Sequence, residues 1–270
     1  MEDISKFAKH LFSKIRKQSD KATSDDGEKH IHALRVEVKK LKALFHLLSF
    51  YFQELEEGQL EKLTKVFHSA GRVREWQLLV EQVAASSMSA DPKKEVAGYA
   101  QHAKEKAFKK FRNTVDKSGT ETVKELREVV TGFAARIQQK ELSGYFDFVI
   151  SGIEKKWKKK NLTVKSYHEL RREMKDLKFN LKFLDENAKT SLKVFSDSRF
   201  LDECEELLGK WHDGIVAAEQ LQKLSKDDEL SDGTKSQLVP LQKSKMIEAD
   251  AWLDQFRNVV EAREHQHTGF

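Results

Sequence analysis

HALRVEVKKLKALFHLL, from His32 to Leu48, and HELRREMKDLKFNLKFL, from His168 to Leu184, align without a gap at an offset of 136 residues, about half of the 270-residue chain. A second pair follows them. AGRVREWQLLVEQ from Ala70 aligns with LGKWHDGIVAAEQ from Leu208, Gly71 opposite Gly209, and the offset becomes 138. Two copies of one unit, differing by a two-residue insertion, account for both matches.

In both long stretches apolar residues recur three and four apart: Leu34, Val38, Leu41, Phe45 and Leu48, then Leu170, Met174, Leu177 and Leu181. That is the core-facing stripe of an amphipathic α-helix. At about 100° per residue, Arg35, Lys39, Lys42 and His46 fall within roughly 80° of His32, on the adjoining sector. The second copy places His168, Arg171, Lys175, Lys178 and Lys182 likewise, with Glu169, Glu173 and Asp176 expected on the far side. A solvated helix face usually mixes signs, because Glu and Lys three or four apart support each other. One basic stripe alone reads as a solubilising face; two in the same phase predict a surface made for an anion.

The rise from His168 to Lys182 is about 21 Å at about 1.5 Å per residue. That length suits an extended anion with recurring charges, gripped by Arg as a bidentate fork and by Lys as a mobile point charge. Bound phosphates would favour the imidazolium forms of His32 and His168, so affinity is expected to rise as pH falls.

The rest of the chain agrees with an all-α protein: two prolines and 12 glycines leave few helix breakers. Turn chemistry falls at Asp20 to Gly27, Ser86 to Pro92, Asp116 to Gly119, Leu142 to Gly144, Lys158 to Asn161 and Lys226 to Gly233. Asp91 before Pro92 predicts an N-cap with proline at the first helical position. Pro240 fits either a kink within a helix from about Ser231 to Val260 or a place near its start.

Forty-nine Lys and Arg against 44 Asp and Glu give a formal charge of +5, too balanced for a strongly basic nucleic-acid coat protein. Cys204 stands alone, which excludes an internal disulfide and a multi-thiolate zinc site and points to the cytoplasm. The opening MEDISKFAKHLFSKIRK interrupts every apolar pair with charge and predicts an amphipathic helix rather than a signal peptide. No apolar run reaches the length of a membrane span.

With these motifs in place, the sequence resembles the CHAD domain, a histidine-containing α-helical family. Its hallmark is a helix opening with His, Arg three residues later, then a ladder of Arg and Lys, as in HALRVEVKKLK and HELRREMKDLK. The element "G, basic, any, Arg or His, acid" follows as GRVRE, Gly71 to Glu75, and as GKWHD, Gly209 to Asp213. The resemblance covers about residues 1–260, with halves at 1–138 and 139–260 and a polar tail at 261–270. It implies two helical-bundle halves related by a pseudo-two-fold, long basic helices lining a central groove or channel, and binding of inorganic polyphosphate. Carried across, the contacts are His32, Arg35, Lys39, Lys42, His168, Arg171, Lys175 and Lys178, joined by Arg172, Arg72, Arg74, Lys210 and His212. Lys104, with Lys106, Lys109, Lys110 and Arg112, and Lys243 and Lys245 in the second half, would widen the channel. The run KKWKKK, Lys155 to Lys160, suits a helix C-terminus equally well. His46 stands where a longer base would extend the ladder, and Trp76 and Gly214 make the second element asymmetric.

Some members of that family accompany CYTH-type triphosphatases, but neither a P-loop nor an alternating Glu and Lys strand is present here, and the expectation is a non-catalytic binder without a cofactor. Nucleic-acid backbone binding is the alternative, as is an accessory role in polyphosphate or triphosphate metabolism, with polyphosphate-containing granules or enzymes as partners. Stacking aromatics among the basic residues would favour nucleic acid; the basic sectors hold none, and Trp76, Trp157, Trp211 and Trp252 read as core or interface residues. A metal site is not expected: His265 and His267 lie in a polar stretch, and His30 and His32 project differently.

Overall fold

The computed structural model describes residues 2–118, 120–159 and 162–268. Among them it contains ten α-helices and no strand: α1 (Ile4–Thr23), α2 (Ile31–Tyr51), α3 (Glu61–Ala85), α4 (Ala90–Ser118), α5 (Thr120–Arg136), α6 (Ser143–Trp157), α7 (Val164–Asn180), α8 (Glu186–Ser191), α9 (Ser198–Leu224) and α10 (Asp232–Thr268). None is long and apolar enough to cross a membrane.

Side-chain caps start several of these helices by satisfying backbone N–H groups that have no partner in the first turn. Asp3 accepts from the Lys6 N–H at 2.7 Å, Thr163 from Ser166 at 3.2 Å and Asp185 from Ala188 at 2.7 Å. α2, by contrast, grows directly out of a 3₁₀ turn at Gly27–His30. α4 begins two residues earlier than the Asp91 cap predicted, at Ala90, so Pro92 lies inside the first turn, where its missing N–H leaves no bond unmade. Pro240 lies well within α10, and that helix runs on through the polar 261–268 stretch. Turn chemistry did not reveal the short pieces between α7 and α9, where 3₁₀ turns at Leu181–Phe183 and Lys193–Ser196 flank α8.

Packing repeats as the sequence does. α2 packs on α1 and α3, and α3 on α4; in the second half α7 packs on α6 and α9, and α9 on α10. Across the halves each ladder-bearing element meets its own counterpart, α2 with α7, α3 with α9 and α4 with α10. α5, which packs on α1 and α2, and α8 have no counterpart.

The predicted apolar stripes are buried: Leu34, Val38, Leu41, Phe45 and Leu48 with Leu170, Met174, Leu177 and Leu181 belong to one core cluster that both halves share. A second, smaller cluster joins Leu79, Val83 and Val96 to Leu221, Leu224 and Leu238. α3 and α9 contribute to both clusters, so a gap in the core falls midway along these two helices. The residues between are Arg74 and Glu75 on α3 and His212 and Asp213 on α9.

Close approaches are made at glycines. At Gly214 an added Cβ would meet the Ala249 Cβ at 3.0 Å, so the glycine sets the α9–α10 spacing and explains the asymmetry at that position. At Gly27 it would stand 2.1 Å from the Ala22 carbonyl oxygen, which is backbone and cannot swing aside. Gly27→Ala is therefore expected to destabilise the fold by about 3 kcal/mol in urea denaturation. Gly58→Ala, with nothing within 4 Å of the new methyl, is the comparison and should be neutral or slightly stabilising.

Candidate functional site

Because the apolar stripes of α2 and α7 face one shared core, the basic stripes beside them converge. Arg35 and Lys39 of α2 come within electrostatic reach of Arg171 and Lys175 of α7. Arg74 of α3 and His212 of α9 join them, with His32 in the first turn of α2 and His168 at the start of the second turn of α7.

Arg35 is the most firmly held. Its Nη1 donates to the Phe67 carbonyl at 2.8 Å, and its guanidinium lies 4.3 Å from the centroid of the Phe67 ring. α3 passes so close that a Cβ at Gly71 would stand 2.5 Å from Nη1, so that glycine makes room for the ladder arginine. Its counterpart Gly209 has nothing within 4 Å. Among the described residues Arg171 has no such anchor, and its buried Nε finds no hydrogen-bond partner there.

Burial and crowding push the bases down. Lys39, half-buried and without an ion pair among the described residues, is driven from 10.5 to about 7 by desolvation and then by Lys175, Arg35 and Arg171. His212 falls to about 3 through burial and the neighbouring Arg171, His168, Lys39 and Arg35, and its buried Nδ1 is unpartnered. His32 and His168 sit below the usual imidazole value, again chiefly through burial and then through cationic neighbours. The His168 ring lies 4.7 Å from Trp211 and 5.0 Å from His212. Beside the cluster, in the gap between the two apolar cores, is a cavity of about 70 Å³. Arg35, Arg74, Glu75, His212 and Asp213 form its polar wall.

Buried donors without partners and bases held below their ordinary values are what a site looks like before negative charge reaches it. An anion here would restore the charged forms and satisfy the open N–H groups. Among the described residues no three His, Cys, Asp or Glu side chains converge as a metal site.

The ladder is shorter than its helical wheel suggested. His46, which the wheel placed with the bases, lies against the partner helix with its Nδ1 2.7 Å from Asp176 Oδ2. Asp176 and Glu173 do not project to the far side: one meets His46, and the other pairs with Lys156 of α6. Lys182 falls beyond the end of α7 and packs over the Phe7 ring, 3.5 Å from Glu2. Lys178 is taken by Asp202 and Glu205, both at 2.6 Å. The stretch from His168 to Lys175 that carries the cluster therefore rises only about 10 Å.

Of the remaining candidates, Lys42 is half-buried with its ammonium 5.6 Å from the Phe67 ring centroid. Arg72 and Arg172 are exposed, the latter near Lys42. Lys104 is bound to Glu28 at 2.9 Å, and Lys210 lies over Trp252 and pairs with Glu206. Lys106, Lys109, Lys110, Arg112 and Lys243 are exposed, and Lys245 pairs with Glu248. In the KKWKKK run, Trp157 stacks on Phe195 and Lys160 lies outside the described residues; the side chains of His265 and His267 do too.

Sequence reading missed several participants. Phe67 supports Arg35, His68 feels Lys42, Arg35 and Arg72, and Glu205 bridges Lys175 and Lys178 at 2.6 Å each. All three lie within a turn or so of the Gly71 or Gly209 element, so a longer comparison of the two copies would have included them.

A family model described as the CHAD domain matches residues 6–222. No curated protein matches the sequence significantly. Among solved structures, the chain is similar to the crystal structure of the CHAD domain from the plant Ricinus communis, with a TM-score of 0.77 and 15% identity over 96% of this chain and 91% of that one. It is also similar to PptA from Streptomyces chartreusis, with a TM-score of 0.64 and 14% identity over 94% of this chain and 99% of that one. At these identities the likeness is one of fold.

Lys39 gives the site a signature in the free protein. Between about 7 and 10.5 the unfolded chain holds a proton on this lysine that the folded protein does not, so stability rises with pH across that window. Urea denaturation of wild type and Lys39→Met at several pH values should show the wild type gaining on the variant from about pH 7 upward. A constant difference would mean that Lys39 is charged throughout.

Proposed function

The chain belongs to the CHAD domain family, and on that premise we propose that it binds inorganic polyphosphate, or a similar linear polyanion, without catalysis. The observation that carries this reading is the crowding of Arg35, Lys39, Arg171 and Lys175 into one half-buried cluster with an open donor at Arg171 Nε and an unpartnered ring nitrogen at His212. Like charges confined this way repel, and a chain of phosphates relieves the repulsion at several points at once.

The site suits phosphate oxygens more than bases. Its donors are guanidinium, ammonium and imidazole groups, and the nearest rings are engaged already: Phe67 with Arg35, and Trp211 within the core. Phosphoryl transfer requires carboxylates that hold a metal beside the phosphate. Here Glu205 grips Lys175 and Lys178, and Glu75 and Asp213 act on Arg35 and Arg171, so the nearby carboxylates are matched to cations, which supports the non-catalytic reading. Release of orthophosphate from polyphosphate and magnesium by the purified protein would overturn it. A cytoplasmic setting, with polyphosphate-containing granules or enzymes as partners, follows from the same proposal.

An anion beside Lys39 favours its charged form, so affinity is expected to be greatest below about pH 7 and to decline as pH rises. Titration with long-chain polyphosphate at two salt concentrations should give salt-sensitive binding that Arg35→Ala with Arg171→Ala weakens on the order of a hundredfold. Unchanged binding in the double variant would place the ligand elsewhere. Ready displacement by RNA at matched phosphate concentration would favour nucleic acid.

A further inference from the structure

Among the positions at which the two copies differ, one sets an aromatic ring against the ladder in the first half and a carboxylate in the second. At the 138-residue offset, Phe67 of α3 corresponds to Glu205 of α9. In the first half the Phe67 ring lies against Arg35 and Lys42, 4.3 and 5.6 Å from their charged ends, and supplies no counter-ion; Glu75 and Asp213 act on Arg35, and Glu57 and Asp176 on Lys42, without an ion pair to either among the described residues. In the second half Glu205 Oε1 is 2.6 Å from Lys175 Nζ and Oε2 is 2.6 Å from Lys178 Nζ. Asp202, standing where the first half has Thr64, adds a second carboxylate to Lys178 at 2.6 Å. The Glu205 side chain is only 19% exposed, so little water competes for it. Burial raises its affinity for a proton, yet hydrogen bonds from the two lysines bring its carboxyl below the usual value.

A carboxylate holding two successive lysines of a phosphate-binding ladder stands where phosphate oxygens would stand. From this we propose that Glu205 is a built-in counter-ion that keeps the second-half arm of the site closed, so that an anion docks first on the centre and the first-half arm. The inference rests on the polyanion-binding reading above and adds to it a residue that sets how many phosphates the site engages. A short anion is satisfied by Arg35, Lys39 and Arg171 and leaves Glu205 in place. A long chain reaches Lys175 and Lys178 only by displacing the carboxylate, which loses two charged hydrogen bonds and stays half-buried beside added negative charge.

The test compares wild type with Glu205→Gln, which keeps the shape and removes the charge, using tripolyphosphate and a long-chain polyphosphate at two salt concentrations. Expected are long-chain affinity raised about tenfold at low salt, a steeper salt dependence because more cations are engaged, and a smaller gain for tripolyphosphate. Unchanged or weaker long-chain binding by a variant that melts like wild type would overturn the proposal, since Glu205 would then only position the lysines. If the variant melts lower, both proteins are compared at a temperature where each is folded, and the ratio of long-chain to tripolyphosphate affinity decides: a raised ratio supports the proposal and an unchanged one overturns it. Absence of polyphosphate binding in the wild type itself would instead refute the reading on which the inference rests.

Discussion

The meeting of α2 with α7 is the interaction on which the rest depends. Each helix buries an apolar stripe, and a fully buried Leu, Ile, Val or Phe contributes about 1.5–3 kcal/mol. Leu34, Val38, Leu41 and Phe45 on one side and Leu170, Met174 and Leu177 on the other are at most 1% exposed. The adjoining stripes have no freedom of their own; once the apolar sides are satisfied, Arg35, Lys39, Arg171 and Lys175 are brought together. Two like charges 4 Å apart repel by about 4 kcal/mol at an effective dielectric constant of 20. The core outweighs that sum; burial first, and then the neighbouring cations, hold Lys39 down near 7 and keep His212 neutral.

The surrounding helices turn crowding into a shaped site. Gly71 admits the Arg35 guanidinium to the surface of α3, where the Phe67 carbonyl fixes its direction. α3 and α9 carry apolar residues on both sides of the cavity and polar ones beside it, so the core is interrupted only where the cations need a wall. His46 with Asp176, and Lys182 with Glu2 and Phe7, close the far ends of both ladders and keep the cationic surface short.

Duplication has not made the halves equal. One ladder arginine is anchored and the other is not; one glycine is required by a close approach and its counterpart is not. Opposite the ladder lysines stands an aromatic ring in one half and a carboxylate in the other. The cationic surface therefore has direction: a ring faces it along α2 and α3, and carboxylates pair with it along α7 and α9.

By itself the sequence determined the helical class, the duplication, the buried stripes and the identity of the central bases, since all of these follow from local spacing: residues three and four apart share a face whatever surrounds the helix. It also placed Arg35 and Arg171 at equivalent positions, because the same residues recur in the same phase. Tertiary structure alone decided which bases stay unpaired. A helical wheel fixes the direction of Asp176 or Lys178 around its own axis but not what stands opposite, and only the packing of α7 on α2 and α9 brings His46 to the first and Glu205 to the second. The charge of a site is set by contacts between segments far apart in the chain, and those distances are not written in any one segment's periodicity.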